Sequence, residues 1–184
     1  MGKSNTIHDR ELLDQIRSGD EGAEPAFRVV YDRYVNRVHA YCLKSLRSES
    51  RAGDITQDVF MRLLITVRNG TMIENLPAFL MRICRNLCLN VHRDEHLTYI
   101  EPELTDGIDE NAETPEGRDL REHIKKAIDE LPPEFREALV LQLYSGLSYA
   151  EICEVTGETL PTIRHRISRA KHRLRIVLTP LITE

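Results

Sequence analysis

Residues 147–175 read LSYAEICEVTGETLPTIRHRISRAKHRLR, two helical patterns on either side of one glycine. Leu147 to Thr156 reads as a short first helix and Gly157-Glu158-Thr159 as the turn; a second helix then carries Arg164, Arg166, Arg169, Lys171, Arg173 and Arg175. Gly157 has no Cβ to clash in a left-handed helix end. Thr159 stands where it can cap the second helix, with Pro161 in the first turn, where a missing N–H loses no bond. At about 100° per residue, Ile163, Ile167, Ala170 and Leu174 share one stripe, while Arg164, His165, Ser168, Arg169 and His172 face away. No acidic residue occurs between Thr162 and Leu178. A helix that is apolar on one side, basic on the other and preceded by a tight turn is the pattern of a helix-turn-helix entering the DNA major groove. The simpler alternative, an amphipathic helix kept soluble by its arginines, accounts for the charge but not for the turn.

The whole chain is not basic. Its 25 Lys and Arg stand against 30 Asp and Glu, a formal net charge of −5. Phosphate neutralisation supplies most non-specific affinity for DNA, so such a chain is expected to bind DNA poorly alone. Either a partner holds it there or its acids sit in a segment that moves away.

A chain of 184 residues holds one ordinary domain or two small ones, and 5% aromatic content without Trp suits small helical domains. No apolar run approaches a membrane span, and the polar start lacks a signal-peptide core, so no membrane insertion and a cytoplasmic location are expected. Cys42, Cys84, Cys88 and Cys153 fall on apolar helix faces and read as small core residues. Cys84 and Cys88 lie one turn apart but belong to no CxxC pair, which argues against a metal there.

Nearly everything else is helical. Asp9 to Ser18 is amphipathic through Leu12, Leu13 and Ile16, and Phe27, Val30, Tyr31, Tyr34, Val38 and Tyr41 recur at helical steps. Ile55, Val59, Leu63 and Val67 repeat the pattern over Asp54 to Val67, and Asn75 can cap a helix from Pro77 to about His96. From Thr98 to Gly117 there are seven acids, two prolines, two glycines and no Lys or Arg, the texture of an acidic linker that cannot bury a core. Periodicity resumes over Leu120 to Asp129, and Leu131-Pro132-Pro133 opens a helix whose apolar side is Phe135, Leu139, Val140 and Leu143. The expected fold is therefore all-α: two small helical domains joined by a flexible acidic linker, the second ending in the helix-turn-helix. The boundaries fall at 1–23 for an N-terminal extension, 24–97, 98–117 for the linker, and 118–184.

Two further faces carry chemistry. Asp54, Gln57 and Asp58 share one helix face that suits an arginine-bearing partner, with Phe60 and Leu64 as apolar additions, or else form a solvated acidic surface. On the Pro77–His96 helix, Leu80, Cys84, Leu87, Cys88 and Val91 form the core stripe, opposite Phe79, Arg82, Asn86, Asn90 and Arg93. Rings and guanidinium planes for stacking, amides for base edges and cations for phosphates are what unstacked bases require. Phe79 could equally tuck under the preceding loop as core. His92-Arg93-Asp94-Glu95-His96 also matches the inverted zinc-protease motif, but its nearest third ligands, Glu110 and Glu113, lie in the acidic run, which cannot hold a metal rigidly. A stand-alone helix-turn-helix regulator is disfavoured by the net charge. No phosphate loop or nucleophile constellation is visible, so no enzyme, cofactor or metal is expected.

Four stretches taken together resemble a bacterial sigma factor of the extracytoplasmic-function (ECF) group of the sigma-70 family, over almost the full chain. Phe27 to Tyr41, with Tyr31-Asp32-Arg33-Tyr34, is similar to the family's opening helix. Asp54-Ile55-Thr56-Gln57-Asp58-Val59-Phe60 is similar to the segment that grips the clamp helices of the RNA polymerase largest subunit, and Ala78 to Asn86 to the promoter-melting and −10 segment. Leu131-Pro132-Pro133-Glu134-Phe135-Arg136-Glu137 through Leu174 is similar to the −35 reading domain. The resemblance implies core-polymerase contact by Asp54, Gln57, Asp58, Phe60 and Leu64, and −10 handling by Phe79, Arg82, Arg85, Asn86, Asn90 and Arg93. It implies −35 reading by Thr162, Arg164, His165, Ser168, Arg169 and Lys171. The implied partners are RNA polymerase core, including its flap for the C-terminal domain, promoter DNA, and an anti-sigma factor. Three positions depart from the family's habit: Phe79 where Trp is common, Gly53 where Ala or Glu is, and Pro161 where Gly is. The last stiffens the entry to the reading helix.

Overall fold

A computed structural model describes residues 3–97 and 123–182. The described residues form helices and connections without strands: α1 Lys3–Ser18, α2 Ala23–Leu46, α3 Glu49–Arg68, α4 Leu76–Leu97, α5 over 123–129, α6 Pro133–Leu143, α7 Tyr149–Thr156 and α8 Leu160–Ile182. They fall in two compact units, one holding α1–α4 and the other α5, α6, α8 and most of α7. The acidic run over 98–117 lies outside the described residues.

In the first unit each helix end has a local cause. α2 stops where Arg47 turns left-handed, at φ 54°, its N–H returning to the Leu43 carbonyl. Ser48 then starts α3 by accepting the Arg51 N–H on its side chain. Asn75 opens α4 the same way, its Oδ1 taking the Ala78 N–H at 3.2 Å. α1 begins six residues before the expected Asp9. Asp9 is buried, accepting the Arg33 guanidinium on one oxygen and the Tyr34 hydroxyl on the other, so a residue read as a helix start is an internal brace. Val30, Val38, Val59, Leu63, Val67 and Leu80 are all fully buried, each contributing about 1.5–3 kcal/mol relative to exposure.

Three sulfurs meet in this core. Cys42 arrives from α2, Cys84 and Cys88 from α4, and their Sγ atoms lie within 4.8 Å of one another. The sequence reading set metal aside because Cys84 and Cys88 lack a CxxC partner; the third thiol comes from another helix. Hydrogen bonds from Cys42 and Cys84 pull the Cys88 thiol down to about 4, against the effect of burial. Cys84 is pushed up, first by its hydrogen bond to Cys42.

In the second unit, Ile128, Leu131, Leu139 and Ala170 form a core with Ile124, Phe135, Tyr144 and Leu174 packed against it. Arg136 ties α5 to α6 by donating to the carbonyls of Ile128 (3.3 Å) and Asp129 in the last turn of α5 and of Leu131 (2.9 Å) just past it, at a helix end that has no glycine cap. Leu143, expected on the apolar side of α6, is 56% exposed, while Leu141 is fully buried. α6 is enclosed over most of its circumference, so a single-stripe pattern misplaces its last turn.

Candidate nucleic-acid interface

α7 is eight residues long, too short to be stable alone, and both its ends are fixed. Leu147, expected as its first residue, precedes the cap: Ser148 takes the Glu151 N–H and Glu151 returns its carboxylate to the Ser148 N–H at 2.7 Å, a capping box. Gly157 closes the other end at φ 76°, its N–H on the Cys153 carbonyl at 2.8 Å. Thr159 caps α8, its carbonyl taking the Ile163 N–H at 3.0 Å and its hydroxyl meeting the Thr162 hydroxyl at 2.8 Å. Ile163, Ile167 and Ala170 are buried and Leu174 is half-buried, so the apolar stripe faces inward.

The outer face of α8 is not uniform. Arg164, His165, Ser168, Arg169, Lys171 and His172 are exposed, and Thr162 is half-buried at the cap. Arg164, Ser168, Arg169, Lys171, His172 and Arg175 line one shallow groove with Tyr149 of α7, an aromatic that the sequence reading did not select. Arg166 leaves this set, held by Glu158 at 2.7 Å. Arg173 is also engaged, its guanidinium 5.5 Å from the centre of the Phe135 ring. The His165 ring stands edge-on to the same Phe135 at 6.3 Å and accepts from Arg169 Nε at 3.4 Å. The helix thus sets Arg166, Arg173 and the His165 ring against neighbouring side chains and leaves a groove-lining group that faces solvent.

On α4, Arg82, Asn86, Asn90 and Arg93 are exposed, and Phe79 and Arg85 are half-buried. The Arg82 guanidinium lies 5.9 Å from the Phe79 ring centre, so cation and ring stand together on this part of the helix. Arg93 reaches its neighbour Asp94 only at 3.8 Å, a surface pair of little strength. Leu89 is 45% exposed among the asparagines and adds apolar surface beside them.

On α3, Asp54, Gln57 and Asp58 are exposed as expected. Phe60 is not available to a partner: it is 2% exposed, its ring 4.7 Å from Tyr31 and 6.4 Å from Phe27. Leu64 is half-buried. The apolar groups continuing the acidic face are Met61, 55% exposed, and Ile65, 53% exposed. They follow Gln57 and Asp58 by four and seven residues, on the same side of the helix. The side chain of His96 lies outside the described residues, so the histidine pair of the inverted zinc-protease motif has no geometry here.

Known proteins match along this layout. The family model for sigma-70 region 2 matches residues 30–98, and that for sigma-70 region 4 matches 121–174. The ECF RNA polymerase sigma factor SigE of Mycolicibacterium smegmatis is 34% identical over 167 residues, covering 86% of this chain and 63% of that relative, so the chain spans less than two thirds of its length. The RNA polymerase sigma-H factor of Pseudomonas aeruginosa is 28% identical, covering 96% of each chain. Among solved structures, the sigma factor RpoE of Bartonella quintana, in a co-crystal with the anti-sigma factor NepR, is 26% identical with a TM-score of 0.66, covering 83% of this chain and 96% of that one. CnrH, solved with the cytosolic domain of CnrY, has a TM-score of 0.69 at 21% identity over 94% and 98% of the two chains, a likeness of fold.

Proposed function

The chain belongs to the ECF group of the sigma-70 family, a family of non-enzymatic transcription initiation factors, and from this we propose that it binds RNA polymerase core and directs it to a defined set of promoters. The first unit engages core through α3 and handles the opened −10 strand through α4. The second unit reads the −35 element with α8. The observation that carries this reading is the exposed acid-free groove of α8 behind a turn fixed at both ends, in a chain whose overall charge is negative. A helix so built is aimed at DNA, and the net charge makes a polymerase partner necessary for useful affinity.

On α3, Asp54 and Asp58 offer charge-assisted contacts to arginines of the polymerase, with Met61 and Ile65 supplying the apolar part of the interface. On α4, Phe79 and Arg82 provide stacking and Asn86 and Asn90 base-edge contacts once the duplex opens. Release from an anti-sigma factor is the regulatory step we assign, supported by the NepR co-crystal of the Bartonella relative.

In vitro transcription with the full chain and purified core polymerase, on a library randomised upstream of a reporter start, tests the reading. Enrichment of two separated sequence blocks is the expected result. Tight specific DNA binding without polymerase, combined with no association with core, makes the protein a stand-alone regulator instead.

A further inference from the structure

The thiol cluster in the first unit is not used by any of these surfaces. Cys42, Cys84 and Cys88 are 0%, 0% and 1% exposed, and the Cys42 and Cys84 sulfurs stand 3.1 Å apart. Packing alone does not ask for three sulfurs at one point; alanine or valine fills such a position without a polarizable, ionisable atom. Polar groups also gather at the cluster, where an apolar core would have none. Thr56 and Ser45 stand beside Cys42 and Cys88 respectively, close enough to act on their ionisation, and the Ser45 hydroxyl lies 3.3 Å from His92 Nε2.

We propose that Cys42, Cys84 and Cys88 are the thiolate ligands of a structural zinc site in the first helical unit, with His92 as its fourth ligand. Four ligands around zinc with Zn–S near 2.3 Å place sulfurs about 3.8 Å apart. The observed separations, from 3.1 Å up to a limit of 4.8 Å, bracket that value, so small rotations of the three cysteines suffice, while His92, outside that group of sulfurs, has to turn in toward them. Cys84, Cys88 and His92 recur at four-residue steps and share one face of α4, the spacing at which a helix presents metal ligands together. Cys42 supplies the ligand from α2. His92 is half-buried, which gives the ion a way in beside Ser45. The three sulfurs and a neutral imidazole take up Zn²⁺ with release of whatever thiol protons they carry and no change of oxidation state. The ion would pin α2 to α4, the helix that carries Phe79, Arg82, Asn86 and Asn90.

The test uses the reduced full-length chain, titrated anaerobically with Co²⁺ and then Zn²⁺. Saturation at one equivalent of Co²⁺, with thiolate-to-cobalt charge transfer and tetrahedral ligand-field bands that Zn²⁺ then erases, is expected. Cys88→Ser should lose the charge-transfer bands, and His92→Ala should weaken Zn²⁺ binding. Cys153→Ser, outside the cluster, should keep both. Should Cys88→Ser fail to fold, native mass spectrometry of the wild-type chain still reads one added zinc and the protons lost. Absence of charge transfer in the wild type, or its persistence in folded Cys88→Ser, overturns the site. Unchanged Zn²⁺ affinity in His92→Ala overturns the fourth ligand.

Discussion

The Tyr34 hydroxyl in α2 donates a 2.5 Å hydrogen bond to Oδ2 of Asp9 in α1, and both residues are buried. The other oxygen of the same carboxylate takes the Arg33 guanidinium, so one side chain fastens the first helix to the second. Burial first, and the bond to Asp9 next, raise the Tyr34 pKa above its ordinary value.

Tyr34→Phe should therefore lower stability by about 1–3 kcal/mol at neutral pH, leaving a buried carboxylate short of a partner. The folded chain holds the phenol proton more tightly than the unfolded chain. This contribution is intact below about pH 10 and declines as pH rises past it. Urea midpoints of both proteins at pH 8 and pH 11 check it: the gap should narrow at the higher pH, and a constant gap would remove the assignment.

Asp54→Lys with Asp58→Lys should abolish core-polymerase binding while the helical circular-dichroism signal stays intact. Met61→Ala with Ile65→Ala should weaken core binding at unchanged thermal stability, since both side chains are exposed. Phe60→Ala should do the reverse, destabilising the first unit by about 3–5 kcal/mol through a core cavity. Pull-down and thermal melts on all three variants separate interface from core; full core affinity in the double-lysine variant ends the contact assignment.

Asn86→Ala should slow open-complex formation on duplex promoters more than on a pre-melted bubble, because a base edge is read only after it leaves the stack. Permanganate reactivity of the opened strand reports this. Equal losses on both templates would make Asn86 a structural residue.

Arg164→Ala and Arg169→Ala should each cost about 1–3 kcal/mol and relax one upstream base preference. Lys171→Ala should weaken all promoters alike and reduce the salt slope by about one unit. Arg166→Ala and Arg173→Ala should leave base preference unchanged, since Glu158 and Phe135 already engage those side chains. Promoter-library selection at two salt concentrations distinguishes the groups. Unaltered preference in both Arg164→Ala and Arg169→Ala makes them anchors.

Gly53 lies inside α3, where an added Cβ meets nothing within 4 Å. Gly53→Ala should raise stability by roughly 0.5–1 kcal/mol, by removing backbone freedom from the unfolded chain. A thermal melt that is unchanged or lower contradicts the open space around this position.

Local chemistry was legible in the sequence where one helix decided it. The Gly157 turn, the Asn75 cap and the inward stripe of α8 depend on neighbours a few residues away, and all three stand where the pattern put them. Errors arose where a face is shared between helices. Phe60 sits one position from Met61, and only the packing of α2, through Tyr31 and Phe27, turns Phe60 inward and leaves Met61 exposed. Leu143 was misplaced because α6 is enclosed on several sides. The meeting of Cys42 with Cys84 spans 42 residues of chain, a distance at which periodicity says nothing.

The short helix α7, locked by Ser148 and Glu151 at its start and by Gly157 at its end, has an evolutionary corollary. The angle at which α8 leaves the turn is set by backbone bonds that none of the groove-lining residues of α8 supplies. If α8 reads bases as proposed, exchanges at Arg164, Ser168 or Arg169 would redirect the protein to other promoters one base pair at a time, without refolding the scaffold that aims them. Under that reading promoter choice would drift by point mutation on α8, while Gly157, at φ 76°, resists replacement by any residue with a Cβ.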